Sequence, residues 1–306
     1  MSKSNNCRKR MLPSSFTSLV SNNDGYIYSH SNDGVDSNLL LVLHGMGDRA
    51  APLHKFAERM ELPQTAMLSL DASLKLKGRH GFMKLPFDLG HTWFLEHDLS
   101  VEAIMKSFGT SEMADDNESF PALTYLKGND VDRQKSLKQA VKNFHLILEE
   151  LFKVWTADEI FIFGYSCGAC FAADMVLFRA KNRLDPLGGI VCVAGGFRGG
   201  NNSLTEEAKD GRTACRFTPI LIVCGSEDSS FSVENARTAE RMYDLLIQGK
   251  RDGCEVKLVI VRGKKHGMIQ SRDEMDPVME FFAKHLRRRM IGLEDQGWIE
   301  VIKKVD

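Results

Sequence analysis

The sequence predicts an α/β protein with a mostly parallel central sheet covered by helices on both faces. Two observations carry that expectation. Short, continuous apolar runs recur along the chain, among them Leu39-Leu40-Leu41-Val42-Leu43, Ile160-Phe161-Ile162-Phe163 and Ile220-Leu221-Ile222-Val223-Cys224, as strands buried on both faces require. Segments of helical periodicity alternate with them, most clearly Leu137, Val141, Phe144, Leu148 and Leu151. A chain of 306 residues can bury a large core in one big domain or two small ones.

Taken in order, Phe16 to Val20 and Gly25 to Ser29 read as two short strands joined by the turn-rich Ser21-Asn22-Asn23-Asp24. Asn38 to Leu43 reads as a central parallel strand, followed by His44-Gly45-Met46-Gly47-Asp48 and a helix from about Pro52 to Leu62. Thr65 to Leu70 is the next strand. Periodicity then fails from Ala72 to Asp132, a long loop or cap-like segment that holds Phe87, Trp93 and Phe94. Arg133 to Val154 is an amphipathic helix. The strand Ile160 to Phe163 and a helix of small residues follow it. Gly189 to Ala194, Pro219 to Cys224 and Glu255 to Val261 complete the strands, with a polar loop from Gly195 to Arg216 and a helix from Val233 to Gln248 between them. Ser271-Arg-Asp-Glu274 is a capping-box pattern that opens a last helix carrying Met279, Phe282 and Leu286 toward the core.

Composition excludes several classes of partner. A net charge of −1 argues against nucleic acid or an anionic membrane surface, and no stretch approaches the length of a transmembrane helix. Of the 7 cysteines, Cys167, Cys170, Cys192 and Cys224 sit in apolar settings and read as reduced core residues of an intracellular protein. Cys167 and Cys170 form a C-x-x-C with no second pair in a zinc-like arrangement, so packing is expected rather than a metal site. The first 23 residues carry Lys3, Arg8, Lys9 and Arg10 and no acid. That is compatible with an organelle presequence, but there is no signal-peptide apolar core. A soluble tail on a cytoplasmic protein is the expectation.

The chemistry centres on Gly164-Tyr165-Ser166-Cys167-Gly168. A serine flanked by glycines at minus two and plus two, between a buried strand and a tightly packed helix, is the pattern of a nucleophile elbow. A serine hydroxyl needs a general base, usually a histidine oriented by a carboxylate, and each should lie past the C-terminal end of a later strand. Two histidines follow Ser166. His285 falls among Lys284 and Arg287 to Arg289, where a solvated face is expected. His266, in the loop after the last strand, is the candidate base. For the acid, Gly225-Ser226-Glu227-Asp228 offers two carboxylates; Asp228 is preferred because Gly225 permits the turn toward the histidine, and Glu227 is the alternative. Oxyanion donors are expected from the backbone N–H groups of Cys167 and Met46, the latter in a loop where Gly45 and Gly47 allow close approach. His44 is expected to be structural.

Four separated segments then match one pattern. Leu43-His-Gly-Met-Gly-Asp48, Gly164-Tyr-Ser-Cys-Gly168, Gly225-Ser-Glu-Asp228 and Gly263-Lys-Lys-His266 resemble the α/β-hydrolases, and within them the phospholipase/carboxylesterase group that includes acyl-protein thioesterases. The resemblance runs from about Asn38 to Leu286 and implies hydrolysis of a carboxylic ester or thioester through an acyl-serine intermediate. It implies no cofactor and no metal, and a small-molecule or acylated substrate. By it the chain divides into an N-terminal extension (1–37), partly disordered or forming edge strands, a hydrolase domain (38–290) and a tail (291–306). Cys167 stands where the group usually has Gln, Ser229-Ser230-Phe231-Ser232 replaces a Val-Pro-containing sequence, and Leu95 follows Phe94 in place of Asp. Phe87, Trp93, Phe94 and also Phe197 are the expected pocket walls. Two other readings are a dienelactone-type hydrolase and a catalytically silent binding protein on the same fold; survival of all three catalytic residue types in order disfavours the second.

Overall fold

The computed structural model describes residues 9–20, 25–75, 90–94, 130–197, 217–246 and 255–289. Seven strands form one sheet. In chain order they are β1 (Tyr26–Ser29), β2 (Asn38–Leu43), β3 (Thr65–Leu70), β6 (Ile160–Tyr165), β7 (Gly189–Val193), β8 (Ile220–Gly225) and β9 (Val256–Val261). Their spatial order is β1-β3-β2-β6-β7-β8-β9, and every pair is parallel except β1 with β3. A separate two-stranded ribbon pairs β4 (Leu74–Lys75) with β5 (His91–Thr92). The central strands β2, β6, β7 and β8 are buried along almost their whole length, which is why they carry continuous apolar runs instead of alternation.

Helices cover both faces. Side chains of α1 (Ser14–Val20), α3 (Asp130–Leu151), α4 (Cys167–Lys181) and α5 (Val233–Leu246) join one core with Leu39, Leu41, Ile162 and Ile222 of the sheet. Those of α2 (Ala50–Glu58) and α6 (Arg272–His285) join the other, with Leu40, Val42, Phe163 and Val223. Alternate residues of one strand thus feed two different cores. The fold is that of an α/β hydrolase sheet.

Three expectations need correction. Phe16 to Val20 is helical, not a strand: Phe16 and Val20 are both buried, and their i, i+4 spacing puts them on one helix face. Phe16 packs edge-on against Tyr26 with ring centroids 5.4 Å apart. The helix expected from Pro52 runs from Ala50 to Glu58, with Pro52 in its first turn, where the missing N–H is harmless. His285 does not lie on a solvated face. It follows Val278, Phe281 and Phe282 on the i, i+3, i+4, i+7 stripe of α6, and its ring sits 4.7 Å from that of Phe281. Phe87 lies outside the described residues.

Candidate active site

The candidate side chains gather where the parallel strands end. Ser166 follows β6, Asp228 follows β8 and His266 follows β9. Ser166 adopts φ 50°, ψ −115°, a conformation that costs a non-glycine residue about 1–3 kcal/mol. The surroundings hold it there. Its N–H donates to Val193 O at 2.8 Å, and its carbonyl accepts from Cys170 N–H at 3.0 Å. The flanking glycines are required by space: a Cβ on Gly164 would come within 2.7 Å of Ala169 backbone, and one on Gly168 within 2.3 Å of Leu43 O. Small residues in α4 let that helix lie directly on the sheet, and Ala169, Ala172 and Ala173 are fully buried.

Ser166 Oγ lies 2.9 Å from His266 Nε2. His266 Nδ1 lies 2.9 Å from Asp228 Oδ2 and 3.1 Å from Oδ1. Asp228 is buried, and its Oδ1 also accepts the N–H groups of Ser230 and Phe231, each at 2.8 Å. Burial pushes this carboxyl up, but the bonds from His266 and the two amides outweigh it and hold the group below its ordinary value. Glu227 is exposed, and its N–H donates to Lys264 O at 2.9 Å. Of the two carboxylates left open by the sequence, the geometry brings Asp228 to the histidine. With Nδ1–H facing a carboxylate, Nε2 is left to accept the serine proton.

The loop after β2 is clamped from the far side of the chain. Gly47 N–H donates to His91 O at 2.9 Å, His91 N–H donates to Asp48 O at 3.1 Å, and Asp48 N–H donates to Gly45 O at 3.3 Å. Gly90, at φ 69°, lies so close that a Cβ would meet Gly47 O at 2.3 Å. Met46, half-buried, sits between Gly45 and Gly47 in this clamped loop. Cys167 opens α4 directly after Ser166. His44 is wholly buried: Nε2 accepts Ala72 N–H at 3.0 Å, so Nδ1 carries the proton and donates to Gly45 O at 2.6 Å. Burial holds its pKa down, and both nitrogens are occupied structurally.

The predicted aromatics separate in the structure. Trp93 stacks on Phe171 of α4, with centroids 5.1 Å apart, and its Nε1–H donates to His44 O at 2.8 Å. It also lines a cavity of about 240 Å³ with Phe144, Ile147, Phe171, Leu19 and Val20. Phe94 is fully buried in the core, and Phe197 packs near Tyr243. Sequence reasoning missed Tyr165 as a neighbour of the base. Its ring centroid is 5.8 Å from that of His266, and burial together with Asp228 pushes its hydroxyl up to about 12. It also missed the Gly90-His91 clamp. A glycine and a histidine in an aperiodic stretch carried no signal of a partner forty residues earlier.

Cys167, Cys170, Cys192 and Cys224 are buried and form no disulfide. Among the described residues, no group of three or more His, Cys, Asp or Glu is arranged to hold a metal ion, and no helix is long and apolar enough to cross a membrane.

Several known proteins are similar to this chain. An uncharacterised hydrolase of Mycosarcoma maydis is 30% identical over 178 residues, covering 56% of this chain and 54% of that protein. The chain thus spans about half the length of this relative. Three solved structures share the fold. Esterase PE8 has a TM-score of 0.59 at 18% identity, over 86% of this chain and 100% of that one. The Bacillus cereus carboxylesterase has a TM-score of 0.54 at 16% identity, over 89% and 99%. Arabidopsis thaliana SOBER1 has a TM-score of 0.52 at 20% identity, over 82% and 99%. Residues 120–286, which include the elbow, Asp228 and His266, match the phospholipase/carboxylesterase family, and the chain belongs to that family of α/β hydrolases.

Proposed function

We propose that the protein is a serine hydrolase that cleaves a carboxylic ester or thioester through an acyl-serine intermediate. The observation that carries this reading is the continuous hydrogen-bonded line Ser166 Oγ, His266 Nε2, His266 Nδ1, Asp228, with spacings of 2.9 and 2.9 Å. His266 takes the Ser166 proton as Oγ attacks the acyl carbon, and the imidazolium is stabilised by Asp228. The N–H groups of Met46 and Cys167 receive the oxyanion. The tetrahedral species collapses as His266 returns its proton to the leaving alcohol or thiol. Water then repeats the sequence on the acyl-serine: His266 takes its proton, the hydroxide adds, and Ser166 leaves with the proton to release the acid.

The acyl portion is proposed to lie against Trp93 and to reach the cavity beyond it. That cavity is predominantly apolar, and two exposed large hydrophobic side chains, Leu19 and Leu146, stand among its lining residues. At about 240 Å³ it is smaller than the roughly 300–1,000 Å³ of pockets for drug-sized ligands, which suits one slender chain better than a ring system.

A fluorophosphonate probe tests the chemistry. Wild-type protein is expected to be labelled, with labelling abolished in Ser166→Ala and sharply reduced in His266→Ala. An unlabelled, folded wild type would sink the proposal. Asp228→Asn is expected to slow acylation by about 10⁴-fold, whereas Glu227→Gln leaves it near wild type.

A further inference from the structure

The loop that presents His266 is weakly constrained by its own composition. Gly263, at φ 70°, and Gly267 flank the histidine at minus three and plus one, and a Cβ at either would meet nothing within 4 Å. Glycine-flanked backbone of this kind has many accessible conformations. His266 nonetheless has to keep both ring nitrogens within hydrogen-bonding distance of groups that follow two other strands.

One residue ties the loop down at three points. The carbonyl of Lys264 accepts the N–H of Glu227, the residue before Asp228, at 2.9 Å. Its side chain spans the histidine: Nζ donates to Met268 O at 2.6 Å and pairs with Glu274 Oε2 at 2.6 Å. Glu274, in the first turn of α6, is itself held. Its N–H donates to Ser271 Oγ at 3.3 Å, and its Oε2 accepts Gln270 N–H at 3.1 Å. The capping-box pattern is thus half realised, because the glutamate is turned toward Lys264 and Gln270. The ion pair is almost removed from solvent, with side-chain exposures of 8% and 11%. Burying a lysine in a loop is costly unless the charge is paired and hydrogen-bonded, and a solvated lysine would have served any purely surface role.

We infer that Lys264, braced by Glu274, is a positioning residue for His266, fixing the loop so that the base meets Ser166 and Asp228 together. The kinetic consequence rests on the serine-hydrolase reading; the geometric one does not. Lys264→Ala alone would strand the Glu274 carboxylate, so the paired variant Lys264→Met/Glu274→Gln is the main test, made in the full chain. Its melting temperature, fluorophosphonate labelling rate and kcat and KM on nitrophenyl butyrate are compared with wild type. The downfield proton resonance of the His266–Asp228 hydrogen bond is followed in parallel.

The expected result is a folded protein whose labelling rate and kcat fall about ten- to hundredfold, the order that a misplacement of about 1 Å produces, with KM little changed. The downfield resonance is expected to broaden or vanish, and Lys264→Arg to keep both it and most of the activity. Wild-type labelling and an intact resonance in the folded paired variant would overturn the inference. Should the pair not fold, Glu274→Gln alone keeps an acceptor for Lys264; it is expected to lose kcat partially, and an unchanged kcat with an unchanged resonance overturns the inference as well. If wild-type protein does not label, the hydrolase reading falls, and the resonance still decides the clamp.

Discussion

At the residue scale, the site depends on side chains and backbone atoms held in conformations that the surrounding fold imposes. Gly168 has no room for a methyl group, since the nearest carbonyl would be 2.3 Å from its Cβ. Gly168→Ala is therefore expected to lower the melting temperature or prevent folding, with the loss read by thermal denaturation; a wild-type melting curve would contradict the packing described. His44 makes a second residue-level prediction. Its Nε2 must stay unprotonated to accept Ala72 N–H, and burial holds its pKa below the ordinary histidine value. His54 and His285 are held down by burial in the same direction. For a group whose folded pKa is depressed, the unfolded chain binds more protons in the interval between the two values, so stability rises with pH there. From these histidines the urea midpoint is expected to fall as pH drops below about 6.5, and from the raised Cys192, Cys224 and Tyr165 to fall again above about pH 8.5, with a plateau between. A midpoint that rises on acidification through the histidine window would refute the sign. Asp228 and Glu274, both depressed carboxyls, extend the loss into the range below about pH 4.

At the scale of elements, each functional loop is the exit of a strand, and each is tied to its neighbours. The β9 loop bonds to the β8 loop through Lys264 O and through Gly263 N–H, which donates to Ser226 Oγ at 2.8 Å. The β2 loop is gripped by the segment around β5, and Trp93 bridges that segment to α4. Trp93→Ala would remove a stacked, 5%-exposed ring and is expected to cost about 3–5 kcal/mol, seen as a lower denaturant midpoint. If the acyl group lies against this ring, the same variant should also change the chain-length profile on nitrophenyl esters. A smaller effect belongs to α6: Ser271 caps it, so Ser271→Ala is expected to lose about 1 kcal/mol, read as a lower denaturant midpoint.

For the molecule as a whole, the N-terminal stretch is attached at several places. Arg10 N–H donates to Asp36 Oδ2 at 2.8 Å, and its guanidinium reaches Glu159 Oε2 at 2.7 Å and Val154 O at 3.2 Å. Tyr28 Oη–H donates to the Arg10 carbonyl, and Phe16 of α1 is buried in the same core as α3 and α4. Arg10→Ala is expected to lower the melting temperature while leaving kcat on a short ester unchanged. A fall in kcat without a change in stability would instead tie this region to catalysis. The proposed division at residue 37 would then mark a boundary of family resemblance rather than of the packed unit, because α1 and β1 contribute to the same core and sheet.

Much of this was legible before any coordinates. Apolar runs located β2, β3, β6, β7, β8 and β9 to within two residues, most plainly for β2, β6, β7 and β8, because a strand buried on both faces admits almost nothing else. Ser166, Asp228 and His266 could be named as candidates because loops that follow parallel strands converge at one edge of the sheet, and that convergence depends on chain order alone. The sequence preferred Asp228 to Glu227, one position away, only on the turn that Gly225 permits. Burial and the Ser230 and Phe231 amides make that choice in space. The sequence could not show α1 as a helix, since seven residues carry too little periodicity, or place His285 against Phe281. The His91 clamp on the β2 loop and the Lys264–Glu274 pair were equally hidden. Such contacts join side chains or backbone groups whose separation in sequence is unrelated to their distance, so only the folded chain brings them together.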